Sequence, residues 1–236
     1  MTTHSNEFGQ QVGPPLDHEL PAGHPPRSTM HGAFCRLEPV NVSSHGSDLW
    51  EAFSAAADDR EWTYLPYGPF RSAGECTAWL TRFDNGPNAD PMLFVVIDAA
   101  TDQAVGVAAY LRIDPRSGSI EVGHIHYGPS LQRTPAATEA MYLMMQRAFD
   151  CNYRRYEWKC DSLNAPSRSA AERLGFMFEG TFRQATHYKG RNRDTAWYGA
   201  IDSDWPQLRE RFERWLSPAN FDANGRQRHA LGSPEA

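Results

Sequence analysis

A strand, a tight loop and a helix follow one another without a break in the middle of this chain, and the residues at the helix entry leave backbone donors free. Residues 119–127, Ser-Ile-Glu-Val-Gly-His-Ile-His-Tyr, read as a strand. Residues 131–140, Leu-Gln-Arg-Thr-Pro-Ala-Ala-Thr-Glu-Ala, read as a loop entering a helix. Ala137, Ala140, Met141, Met144, Met145, Ala148 and Phe149 form one apolar helical stripe. Thr134 suits the N-cap, Pro135 suits the first helical position, and Ala136 and Ala137 keep bulk away from the opening turn. Free N–H groups then face outward and add to the positive end of the helix dipole, about half a charge. A phosphate there is held mainly by backbone. Next, 154–160 reads as another strand, and after Asn164 a short helix runs from about Pro166 to Leu174, with Gly175 in a C-cap position.

Taken together, Gln132-Arg-Thr-Pro135-Ala-Ala137, Thr138-Glu-Ala140, Asn164-Ala-Pro-Ser167, Leu174-Gly-Phe176 and Glu179-Gly180 resemble the GNAT-superfamily N-acetyltransferases. The branch is that similar to ribosomal-protein alanine N-acetyltransferases, and the resemblance spans roughly residues 32–215. In that family the acyl-CoA loop reads Gln or Arg, two residues, Gly, one residue, then Gly or Ala. Here Pro135 replaces the usual Gly and removes one N–H, so the pyrophosphate falls to the amides of Arg133, Ala136 and Ala137. The resemblance implies an α/β (α+β) fold: a mixed, mostly antiparallel sheet, splayed where strand 119–127 parts from strand 154–160, and flanked by helices. It further implies acetyl-CoA as cofactor. Its contacts would come from Ile125, Tyr127, Gln132, Arg133, Thr134, Ala136, Ala137, Thr138, Asn164 and Ser167. A bulge near Tyr127 would help open the gap.

Amide formation from a thioester needs an uncharged amine, a proton acceptor, a polarised carbonyl and a donor to the leaving thiolate. Glu121 is the first candidate for the base; the family often has an acid at this point of the strand. His124 and His126 are the alternatives. They share one face, opposite Glu121 in a regular strand, and a bulge would reverse part of that relation. Other branches place a tyrosine acid seven residues after the asparagine, but here that position is Ala171, which leaves Ser167 to serve the sulfur. Asn164 can hold a pantetheine amide by both donor and acceptor. Backbone N–H groups near 125–127 would polarise the carbonyl. Aromatic segment 61–70 suits a pocket wall, and the hairpin tip His187-Tyr-Lys-Gly-Arg-Asn-Arg193 carries three cations able to bind a carboxylate or a coenzyme phosphate. The acceptor is a small-molecule amine or a peptide N-terminus. A catalytically silent acyl-CoA-binding protein and a succinyl-CoA-using enzyme are the rival readings.

A net charge of −6 argues against a general nucleic-acid binder. The four cysteines, Cys35, Cys76, Cys151 and Cys160, lack metal-type spacing and read as free buried thiols, so no metal is expected. With no run of 18 apolar residues, no membrane span and a cytoplasmic location are expected. The reading divides the chain into a Pro-rich extended arm at 1–30, the acetyltransferase domain at 31–217 and a tail at 218–236. Within the domain it expects strands at 33–37, 93–98, 104–113 and 195–201, and helices at 47–57, 76–83 and 205–216. Long termini and exposed aromatics allow a homodimer without requiring one.

Overall fold

The run Met-Leu-Phe-Val-Val-Ile at 92–97 is apolar at every position, as expected of a strand covered on both faces. In the computed structural model, which describes residues 4–84, 86, 88–223 and 225–232, it does lie at depth. Met92, Phe94 and Val96 enter one apolar cluster, while Leu93, Val95 and Ile97 enter another on the opposite face.

A small hairpin of β1 (His4–Ser5) and β2 (Gln11–Val12) precedes the main sheet. The sheet is built from β3 (Met30–His31), β4 (Cys35–Pro39), β5 (Met92–Asp98), β6 (Ala104–Asp114), β7 (Ser119–Tyr127), β8 (Arg155–Asp161), β9 (Met177–Tyr188) and β10 (Arg191–Ile201). Its order is β3-β4-β5-β6-β7-β8-β10-β9. Every pairing is antiparallel except β7 with β8. Helices α1 (Val42–Ser54) and α2 (Ala73–Thr81) supply the cluster on one face. Helices α3 (Pro135–Asp150), α4 (Ala165–Arg173) and α5 (Trp205–Leu216) supply the other. This is the mixed, helix-flanked sheet that the sequence implied.

Capping explains where the helices depart from their expected spans. α1 starts five residues earlier than 47 because Asn41 accepts the Ser44 N–H as N-cap. α2 starts at Ala73, not 76, because Ser72 accepts the Glu75 N–H and Glu75 returns to the Arg71 N–H. Gly175 closes α4 as expected: with φ +95°, it lets Gly175 N–H reach Glu172 O and Phe176 N–H reach Ala171 O, while Phe176 packs inside. That is a Schellman end, so Leu174-Gly-Phe176 is a helix stop with its apolar anchor.

Segments near both ends, at 22–30 and 220–231, pack against the body. Arg147 of α3 donates to the carbonyls of Pro26, Ser28 and Thr29, and Ala22 and Met30 are buried. Leu231 is also buried, and Asn220 bonds Trp215 and His229. Edge strand β9 is exposed along most of its length, but its register with β10 slips twice. Such bulges blunt an edge against pairing with another chain. Among the described residues no helix is long and apolar enough to cross a membrane, and no three His, Cys, Asp or Glu side chains group as metal ligands.

Candidate functional site

β7 and β8 pair in parallel from Ser119 and Arg155 up to Val122 and Trp158, and there the ladder stops. Residues 123–127 of β7 therefore present backbone to a gap. The sequence placed a bulge near Tyr127; the structure has it at His124 and Ile125. Gly123 faces Ala109 and His126 faces Val107, so two β7 residues span one on β6, and His124 takes φ +50°. The bulge flips the strand's later side chains. His126 now shares the Val107 face, as Glu121 shares that of Leu111, and Val107 and Leu111 lie on one face of β6. Glu121, His124 and His126 thus all point toward the α1–α2 layer. The opposite-face relation of a regular strand does not hold.

Glu121 is buried and tied down. Arg112 Nη1 approaches Oε1 at 2.8 Å and Lys159 Nζ approaches Oε2 at 2.9 Å. Lys159 also meets Glu157 Oε2 at 2.7 Å and lies 3.7 Å from the Trp197 ring centre. Burial raises the Glu121 pKa against the pull of Arg112 and Lys159. Burial would also raise Glu157, but Lys159 and Arg155 outweigh it and hold that carboxyl low. His124 Nδ1 lies 3.1 Å from Tyr67 Oη; burial, with Arg112 adding, lowers its pKa to about 4. His126 lies 3.8 Å from the Trp62 ring, and burial lowers it to about 3. Both rings are neutral at physiological pH, and His126 Nε2 is buried with no partner among the described residues.

Beyond the gap, Thr134 caps α3 as expected, accepting the Ala137 N–H at 3.2 Å, with Pro135 in the first turn. That bond occupies Ala137, so the amides of Arg133 and Ala136 are the ones left without an acceptor among the described residues. Gln132 does not point at a phosphate site. Its Nε2 donates to Tyr127 O at 2.9 Å and Glu61 Oε1 at 2.6 Å. Thr138 is buried and receives Arg173 Nη2 at 3.1 Å. Ile125 packs against the α3-side core, and the buried Tyr127 hydroxyl has no partner among the described residues.

Asn164 Oδ1 caps α4 by accepting the Ser167 N–H at 3.1 Å, so its donor Nδ2 is the end left for a ligand. The expected two-way grip reduces to one. Ser167 Oγ accepts Trp158 Nε1 at 3.0 Å, which leaves its own proton to give. Burial raises the neighbouring Cys160 thiol, and the Ser167 hydroxyl partly offsets this. The cysteines are all free, with Cys151 half-buried and the others buried.

The aromatic segment 61–70 is strapped to the β9–β10 hairpin and to the β8–α4 turn. Tyr64 Oη donates to Leu163 O, Lys189 Nζ to Trp62 O and Arg191 Nη2 to Thr63 O. Two of the three hairpin cations thus hold the aromatic segment in place of a ligand, and Trp62 is core. Lys159, Arg173 and Glu139 were missed by the sequence reading. Lys159 carried little signal because Glu157 is two residues away on its own strand while Glu121 and Trp197 come from other strands. Arg173 was a helix-end cation, and the Glu of Thr138-Glu-Ala140 looked like mere motif.

The profile of the acetyltransferase (GNAT) domain matches residues 37–177. The chain belongs to the GNAT acetyltransferase family. It is 46% identical to a GCN5-related N-acetyltransferase from Brucella melitensis, covering 92% of this chain and 97% of that one with a TM-score of 0.88. A probable acetyltransferase of the GNAT family from Chromobacterium violaceum ATCC 12472 is 40% identical, covers 83% of this chain and 96% of its own, and has a TM-score of 0.76. An uncharacterized N-acetyltransferase, p20, from Bacillus licheniformis is 27% identical over 117 residues, 48% of this chain. That match spans 63% of the relative's own length, less than two thirds of it. GNAT acetyltransferases use acetyl-CoA as cosubstrate.

Proposed function

We propose that this GNAT protein moves acetyl from acetyl-CoA to a primary amine, on a small molecule or a peptide N-terminus, by direct attack in a ternary complex. The fork carries the reading: the parallel ladder ends at Val122 and Trp158, and donors of the right kind line the gap beyond it. Arg133 and Ala136 offer amides for the diphosphate at the positive end of α3, with Arg173 as a nearby cation. Asn164 Nδ2 donates to a pantetheine carbonyl. Backbone N–H groups of 125–127 polarise the acetyl carbonyl, and Ser167, supported by Trp158, protonates the leaving sulfur. Its hydroxyl already lies beside one sulfur, that of Cys160.

Ser167 and the alanine at 171 favour a reading nearest the ribosomal-protein alanine N-acetyltransferase branch. Glu121 contributes by fixing Lys159 and Arg112; burial raises its pKa, but a cation stands at each of its oxygens, so neither is turned to an amine. The histidines, at about 4 and about 3, are weak ones.

Thiol release from acetyl-CoA in the presence of an alanine-initiated tripeptide or benzylamine tests the reaction. Coenzyme binding without thiol release would instead establish the silent binding protein, and faster release from succinyl-CoA the succinyl enzyme. Asn164→Ala should weaken coenzyme binding about fivefold, as loss of a net hydrogen bond of ~1 kcal/mol predicts. Asn164→Ser, which keeps a cap on α4, should show the same loss by calorimetry; an unchanged Kd removes Asn164 from the site.

A further inference from the structure

We propose that Glu61 receives the acceptor's ammonium group and takes its proton. This rests on the acetyl-transfer reading and names the group that reading lacks. Glu61 stands in the short turn Asp59–Trp62 between α1 and α2, within the strap. Gln132 Nε2 bonds both Glu61 Oε1 and Tyr127 O, so the carboxylate is one side chain away from the last residue of β7. Tyr127 lies in the splayed stretch, five residues past the last β7–β8 pair. Glu61 Oε2 is buried and has no hydrogen-bond partner among the described residues. Among the described residues no cation pairs with Glu61 either, in contrast to the doubly held Glu121. A carboxylate oxygen withdrawn from water and left unpaired is costly, and a protonated amine is the partner that would satisfy it.

The surrounding charges leave that vacancy to a ligand. In its own turn, Asp59 pairs with Arg71 and Arg60 with Asp58. From the β9–β10 hairpin, Lys189 and Arg191 donate to the carbonyls of Trp62 and Thr63. Arg133 is exposed on the β7–α3 loop, and on β7 the neutral His126 rests against Trp62. Glu61 is therefore the acid of this face with an oxygen to spare.

In the reaction the ammonium passes one proton to Glu61 Oε2, which later releases it to water. The free nitrogen bonds the acetyl carbon, the C–S bond breaks, and the sulfur leaves with its electron pair. The second amine proton ends on that sulfur, relayed by Ser167. The net products are amide, free coenzyme thiol and one proton.

Glu61→Gln keeps the size and the Gln132 bond, so the melting temperature and coenzyme Kd should hold. With an alanine-initiated tripeptide, kcat/KM should fall by about 10²-fold or more at pH 7, the range of a proton-transfer group. The deficit should shrink above pH 8, where the α-amine, of ordinary pKa about 7.7–8.0, supplies its own free base. An unchanged kcat/KM, or a deficit constant from pH 6.5 to 9.5, overturns the inference while leaving acetyl transfer standing. Absence of thiol release by the unaltered protein overturns both.

Discussion

Glu139→Ala is expected to lower the melting temperature by about 10 °C. Glu139 rises from the second turn of α3 and is buried, yet it pairs with no cation among the described residues. Its oxygens accept three backbone N–H groups at the start of β4: Ala33 at 2.7 Å, Phe34 at 2.7 Å and Cys35 at 2.8 Å. Each bond to a charged acceptor is worth about 1.5–3 kcal/mol, and deleting the acceptor strands the donors where water reaches them poorly. The summed cost, discounted for partial exposure of two of them, is on the order of 4 kcal/mol. At about 2–4 °C per kcal/mol for a chain of this size, that gives the expected shift. Gly32→Ala should act through the same joint, since a Cβ there would overlap the Glu139 carboxylate. Thermal unfolding followed by circular dichroism reads both variants. A shift below about 2 °C for Glu139→Ala would show that the β4 amides find other partners.

That joint also shows what the sequence could and could not tell. The strand–loop–helix unit, Thr134 as cap, Pro135 in the first turn and Gly175 as helix stop were legible because each is decided by neighbours within a few residues. The sheet's mixed, splayed form came from the family resemblance, and its pairing bears that out. Glu139, by contrast, meets amides more than a hundred positions earlier in the chain. Nothing local distinguishes it from a solvated helix acid. Likewise, a bulge at His124 moves His126 to the other face of β7, and one unpaired residue in an otherwise alternating strand leaves no mark in the pattern. Gln132 and Asn164 read from the sequence as coenzyme contacts, but part of their bonding capacity is spent on Glu61, Tyr127 and the α4 cap. Spacing reveals which groups are near a site; competition for their donors and acceptors is settled only in three dimensions.

Lys159→Met should destabilise the protein by about 3–5 kcal/mol at neutral pH, and the deficit should grow as pH rises. Lys159 Nζ is the shared partner of Glu121 and Glu157, which face each other across the paired part of β7 and β8. Methionine preserves much of the stem's packing under Trp197 while removing the charge. What remains is two buried carboxyls opposite one another, with Arg112 and Arg155 at their outer ends. Burial already raises Glu121, and loss of the lysine removes a lowering influence from it and from Glu157 alike. Both folded-state pKa values then move up, while the unfolded chain keeps the ordinary carboxylate value of about 4.3. Above that value the folded variant binds more protons than the unfolded one, so its stability falls with rising pH. Melting curves of variant and parent at pH 5, 6.5 and 8 measure the difference directly, and the gap should be smallest at pH 5. A gap that stays constant across the three would mean that the two carboxyls are not competing for one cation. Packing around Trp197, and not the shared cation, would then hold Glu121 and Glu157 in place.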